Sequence, residues 1–221
     1  PPVLPGTRHV TVGGAIAADV HGKNHLHDGG FGQTVRSFSL ATAGGEHLPV
    51  TREGDRALFE ATVGGMGLTG VITSARLELE PLPSGVVEVE THRTSNLDGT
   101  MQQLTEGDLT HRYSVAWIDL SSPRRRGRGI VQLGSLATPL GLDEDQRQPR
   151  YEPRRALPAP PLPGRGLVRT PVVQSFNLAY WRRPRRARQL VPLAGFFHPL
   201  DRLASWPRLY GASGLLQYQC V

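Results

Sequence analysis

Gly-Gly pairs fall at 13–14, 29–30, 44–45 and 64–65, so no helix or strand in the first third of this chain can run long. Glycine adopts positive φ at no steric cost and loses the most entropy in regular structure. Each pair therefore reads as a turn, a helix end or a close backbone approach. The elements between the pairs are short. "RHVTVGG" (8–14) predicts a strand running into a glycine turn. "VRSFSLATAGGEHLPVT" (35–51) predicts two strands joined through Gly44-Gly45, a hairpin. In "DRALFEATVGG" (55–65), Ala57, Leu58, Ala61 and Thr62 recur at helical spacing, and Gly64-Gly65 ends the helix. "GVITSARLELEPL" (70–82) predicts a strand with Val71, Thr73, Ala75, Leu77 and Leu79 at alternate positions.

After "PLPSG" (81–85) the character changes, and a domain boundary near residue 82 divides the chain into 1–82 and 83–221. "VVEVETHRT" (86–94) alternates cleanly, "LDGTMQQLTEG" (97–107) is a short helix, "RYSVAWIDL" (112–120) a strand and "GIVQLGSLA" (129–137) a fourth element. The pattern is α+β with an antiparallel sheet. Residues 138–171 have no periodicity and many prolines, which predicts a mobile loop. Structure resumes at "VVQSFNLAYWRR" (172–183) and in a last strand, "LLQYQCV" (215–221). Opening on "PPVLPG" and stopping within that strand, the chain reads as an internal fragment.

The longest apolar runs fall far short of the ~20 residues a membrane span needs. No charged n-region followed by an apolar h-region opens the chain, so no secretory signal is seen. The single cysteine, Cys220, excludes an internal disulfide and argues against a Cys-ligated zinc site. A cytoplasmic or membrane-associated location fits this, with the periplasmic side left open. The net charge of +6 is carried by arginine clusters at 124–129, 154–155 and 181–188. They lie in Pro-rich, aromatic-poor stretches with no nucleic-acid motif. No nucleic-acid partner is expected, and the clusters read as a solvated basic face near anionic lipid.

The chemistry concentrates in "VGGAIAADVHGKNHLH" (12–27). Gly13-Gly14 with Ala15, Ala17 and Ala18 lets the backbone approach a ligand and offers successive N–H groups to oxygens. The same residues also suit a plain glycine turn packing a helix on a sheet. Neither G-x-G-x-x-G nor the Walker pattern occurs at 12–27, and "GGMGLTG" (64–70) follows a helix and precedes a strand, the reverse of the Rossmann order. His21, His25 and His27 lie near Asp19 and Asp28, but no second ligand pair completes a metal site, and no metal is expected. Lys23 is the only lysine among 25 Lys and Arg residues. Its compact ammonium reaches where a planar guanidinium does not fit, and it can lose its proton. In an arginine-biased chain that points to a ligand contact, against a surface lysine as the plain alternative.

"LPGT", "TVGGAIAADVHGKNH", "ATVGGMGLTGVI", "AWID", "FFHPLD" and "GLLQYQ" occur in one order along the chain. With them it resembles the FAD-linked oxidases of the vanillyl-alcohol-oxidase, or PCMH, type. Within that superfamily it is most similar to the decaprenylphosphoryl-β-D-ribose 2′-oxidase family of actinobacterial cell-wall arabinan synthesis. The resemblance implies the second half of a PCMH-type FAD-binding domain followed by part of an α+β substrate domain. It implies non-covalent FAD, with Gly6 and the run Thr11, Val12, Gly13 and Gly14 along the pyrophosphate and ribityl chain. Ala18, Asp19, Val20 and His21 would pass along the isoalloxazine with Asn24 nearby, and Ile72 would meet the adenine end. Lys23 and His21 are the implied catalytic residues; Trp117, Phe197, Leu200, Gln217 and Gln219 are implied to bind substrate.

The implied reaction is hydride transfer from the ribose 2′-carbon of a polyprenyl-phosphate sugar to flavin N5, with the protein supplying orientation and a base. Implied partners are that lipid-linked sugar, a NAD-dependent reductase completing the epimerisation, and a membrane surface touched peripherally. Two departures make the pocket drier: Phe197 stands where the family has Tyr before "HPLD", and Val115 where it has Ser two residues before the Trp. The family's first flavin-binding half would precede Pro1, and its active-site Cys and a catalytic Lys would follow Val221, so the chain by itself is expected to be inactive. Two rival readings stay open. One is another FAD-linked oxidase acting on a soluble alditol or aldonolactone; the other is a truncated, non-catalytic basic binding module.

Overall fold

The Gly44-Gly45 hairpin forms as the sequence predicts in the computed structural model, which describes all residues except 123–125, 154, 161–163, 165, 184–185, 215 and 217–221. Val35–Ala41 pairs antiparallel with His47–Thr51 on one side and Val71–Leu77 on the other. Gly45 turns the hairpin at φ 83°, a left-handed value that suits glycine. One face of the sheet carries Phe38, Leu40 and Val50 into a core with Ala15, Ile16, Phe31, Val35 and Phe59. The helix over Arg56–Thr62 is capped by Asp55, whose carboxylate accepts from Leu58 N at 3.0 Å. It buries Phe59 against Phe38, with ring centroids 5.3 Å apart. Full burial of such a ring stabilises the unit by roughly 2–3 kcal/mol.

The strand expected at 8–14 is not there. Val12–Ala17 is a helix, capped by Thr11, whose Oγ1 accepts from Gly14 N at 3.0 Å. That bond commits both glycines to a first helical turn, overriding the β preference of the valines on either side. This unit comprises Pro1–Val86 with Leu136–Tyr151 and Pro192–Pro199. Two local features stand out among the described residues of 138–171. A one-turn helix, Glu144–Arg147, is closed by a capping box between Asp143 and Gln146, and Leu142 is buried with Val86 and Ala137. The Asp-x-x-Gln spacing carries the signal for that box.

The other unit comprises Val87–Ser135 with Glu152–Val191 and Leu200–Val221. Its four-stranded sheet runs in the order Tyr113–Asp119, Arg128–Leu136, Val86–Thr94, Arg188–Pro192. The first pair is antiparallel, with Trp117 opposite Ile130. The expected 97–107 helix forms as Leu97–Asp108, started by Asn96, whose side chain accepts from Gly99 N. Thr170–Arg182 is a second helix, and Leu157–Pro158 pairs in parallel with Leu203–Ala204. The fold is α+β, with antiparallel strand pairing in both units. The strand expected at 215–221 lies outside the described residues, Leu216 apart.

Candidate functional site

The start of the Val12–Ala17 helix leaves the N–H groups of Val12 and Gly13 without an intrahelical carbonyl, as every helix start does. The loop 64–70 runs back along this helix: Gly64 N donates to Ile16 O and Met66 N to Ala17 O, at 3.0 and 2.8 Å. At the other end a Cβ on Gly13 would stand 3.3 Å from Ile72 O, so glycine there permits the strand to pass close. Val12, Met66, Leu68 and Val71 are exposed along this loop and helix. N–H donors beside an open apolar strip suit a molecule with a phosphate and a flat ring.

The chain then closes into a loop. Phe31 N donates to Val20 O at 2.8 Å, and His21 bridges Gly30. Asp19 takes a positive φ of 40° and its Oδ1 accepts from Gly32 N at 2.8 Å, so its carboxylate pins the loop base. Asn24 is 1% exposed; its Nδ2 donates to Asp28 Oδ2 at 2.6 Å and to Pro2 O at 3.1 Å. Asp19 and Asn24, expected along the cofactor, hold the loop's shape. The His21 and His25 rings meet edge to face, with centroids 5.4 Å apart. Among the described residues, no three His, Cys, Asp or Glu side chains converge as metal ligands would.

Lys23 turns away from the open solvent. Its ammonium donates to Phe196 O and lies 4.3 Å from the centre of the Phe196 ring. Among the described residues no carboxylate forms an ion pair with it. One carbonyl and a ring face make up only part of the lost hydration, and burial pushes the pKa down from 10.5 to about 8. A lysine held near neutral can bind an oxygen when charged and take a proton when not. The sequence offers no signal for this contact, because the partner is a backbone carbonyl next to the "FFHPLD" motif and not a side chain in it.

The remaining predicted site residues scatter. Gly6, Thr11, Gly14 and Ala18 are exposed in the first unit, and Val20 packs partly against its core. Phe197 is buried, and its ring meets Phe196 edge to face. Leu200, in the other unit, is 73% exposed. Trp117 lies on its strand with Tyr180 edge to face at 5.0 Å, and Val115 is two residues before it on the same strand. Gln217, Gln219 and Cys220 lie outside the described residues. One expectation is corrected: Arg128, part of the 124–129 basic cluster, is not on a solvated face. It is 2% exposed and forks onto Asp119 Oδ2 through Nε and Nη2, at 2.9 and 2.7 Å. A guanidinium removed from water needs such a carboxylate, and the "AWID" strand supplies it.

No family model matches the chain. Relatives do. It is 41% identical over 228 residues to the decaprenylphosphoryl-β-D-ribose oxidase of Mycolicibacterium smegmatis, which covers 100% of this chain and 49% of that protein. A Streptomyces coelicolor protein, described as an uncharacterized protein in the mprA 5′ region, is 35% identical over 231 residues, 62% of its own length. Cytokinin dehydrogenase 9 of Oryza sativa is 39% identical over 79 residues, 35% of this chain. The chain thus spans about half the length of the first of these relatives and under two thirds of the second.

Proposed function

We propose that the chain is part of an FAD-linked oxidase and serves the oxidation of the ribose 2′-hydroxyl of decaprenylphosphoryl-β-D-ribose. The observation that carries this reading is the whole-length relationship to an oxidase named for that substrate. The shorter matches to cytokinin dehydrogenases support only the oxidoreductase class. In this reading residues 1–82 are the second half of a PCMH-type FAD-binding domain. FAD is held non-covalently, and when bound it accepts the hydride from the sugar.

The first unit has the donor set such a group needs. The N–H groups of Val12 and Gly13 would meet a pyrophosphate, with Ile72 close to Gly13, and the exposed Val12, Met66, Leu68 and Val71 would take flat rings. His21 would lie along the ring edge. Lys23, at about 8, binds a sugar or phosphate oxygen when charged and accepts the hydroxyl proton when neutral. Phe196 and Phe197 keep water from it. The exposed Val172 and Phe176 share a helix with Arg182, which suits peripheral contact with anionic lipid where a polyprenyl tail leaves the enzyme. No helix among the described residues is long and apolar enough to cross a membrane. A NAD-dependent reductase is the partner that a 2′-keto product calls for.

The test is to mix the flavin-loaded full-length parent of this chain anaerobically with decaprenylphosphoryl-ribose, or with soluble alditols and aldonolactones, and follow flavin bleaching. Bleaching by the lipid-linked sugar supports the reading; bleaching by soluble polyols alone replaces it with the rival oxidase. Acid precipitation is expected to leave the flavin in the supernatant, and colour retained in the pellet counts against non-covalent binding.

A further inference from the structure

The Leu193–Phe197 helix is five residues long, too short to hold itself, yet its Phe196 carbonyl and ring receive Lys23. It is pinned at both ends. At its start Leu193 N donates to Gly85 O at 3.1 Å, and Gly85 N donates to Gln146 O at 2.9 Å. At its end His198, 6% exposed, closes the last turn through its backbone N on Ala194 O. The His198 ring Nδ1 lies 2.6 Å from the Tyr151 hydroxyl, and the two rings meet edge to face with centroids 5.6 Å apart. An unprotonated Nδ1 accepts from the hydroxyl and a protonated one donates to its oxygen, so either tautomer of the ring makes the bond.

We propose that Tyr151 is a positioning residue for Lys23: by holding the His198 ring at the end of this helix, it fixes where the Phe196 carbonyl and ring meet the lysine. That Lys23 goes on to meet a substrate rests on the function proposed above; the route from Tyr151 to Lys23 does not. Without the hydroxyl the helix end loosens and water regains the ammonium. The charged form is then favoured, and the lysine's titration moves upward from about 8.

Because Lys23 is the only lysine, the chain made with isotope-labelled lysine gives a single side-chain NMR signal, and its titration belongs to that residue alone. Tyr151→Phe keeps the ring and is expected to raise the midpoint by about half a pH unit or more. His198→Phe, which keeps a ring but removes the nitrogen and so cuts the same bond from its other side, is expected to do likewise. Thr34→Val is the control, removing a hydrogen bond of 2.7 Å from Thr34 Oγ1 to Phe31 O in the same unit. It lowers stability without touching the helix and leaves the midpoint in place. A Tyr151→Phe midpoint unchanged from wild type overturns the proposal, and so does an equal shift in Thr34→Val. In the flavin-loaded full-length parent, Tyr151→Phe is expected to slow flavin reduction several-fold at unchanged flavin occupancy. A shifted lysine signal with unchanged reduction keeps Tyr151 in its role and removes Lys23 from the reaction.

Discussion

Two buried charges in this molecule are treated in opposite ways. Asp119 is fully buried, and its oxygens receive Ser121 N and Oγ, Asn177 Nδ2 and the Arg128 fork. Burial pushes its carboxyl up, but the hydrogen bonds from Ser121, Asn177 and Arg128 outweigh that and bring it to about 2. Lys23 has a carbonyl and a ring, and burial brings it down to about 8. A fully satisfied charge stays ionised across physiological pH and serves to hold structure, here fastening the Thr170–Arg182 helix through Asn177. An under-satisfied one sits near its titration point, where a proton can move.

The largest effect is expected from Asp119→Ala. It leaves Arg128 buried without its carboxylate and is expected to cost about 3–5 kcal/mol in urea unfolding. A loss under about 1 kcal/mol would show the pair to be dispensable and would break the contrast.

Next comes Lys23→Arg in the flavin-loaded full-length parent of this chain. Charge is kept, so flavin occupancy is expected to survive, while flavin reduction by substrate slows about a hundredfold through misplaced geometry. Equal reduction rates in stopped-flow would return Lys23 to a structural role.

A smaller pair of effects appears in the pH dependence of stability, with opposite signs at the two sites. Asp119 is depressed from 3.8 to about 2, so its contribution is present above the higher value and is lost as pH falls through the lower. Lys23 keeps its proton to 10.5 in the unfolded chain but releases it near 8 when folded. Between these values the unfolded state binds more protons, so stability rises with pH, by as much as ~1.4 kcal/mol per pH unit. The measurement is the stability difference between wild type and Lys23→Met, which is expected to climb from pH 8 to 10.5. A flat difference would mean the lysine is hydrated.

The smallest effect is that of Lys23→Met at neutral pH. It replaces an under-compensated charge with an apolar chain of similar length and is expected to change unfolding stability by less than about 1 kcal/mol. A loss as large as that of Asp119→Ala would make the two sites alike.

Short-range structure was legible where one side chain or one spacing decides it. Gly44-Gly45 announces its hairpin, and the helices at 56–62 and 97–108 fall where periodicity places them, each started by an Asp or Asn cap. The Val12–Ala17 helix was missed because a single Thr11 hydroxyl outweighs the strand preference of Val10 and Val12. Periodicity does not show the helix at 144–147 or the burial of Leu142, because one rests on a local capping box and the other on packing with Val86 and Ala137.

The sequence by itself carried the resemblance to an oxidase, through "HGKNH" and the other motifs in their order, and it singled out Lys23 as the one lysine among arginines. Only the tertiary structure decided what surrounds that lysine. Its partner is the carbonyl of Phe196, 173 residues away, and a backbone carbonyl is the same in every residue type. The same holds for Arg128, which no composition separates from the other arginines of its cluster until the Asp119 strand pairs beside it. Residue identity sets which protons a chain can carry. How tightly each is held depends on how much water the fold removes and what it supplies instead.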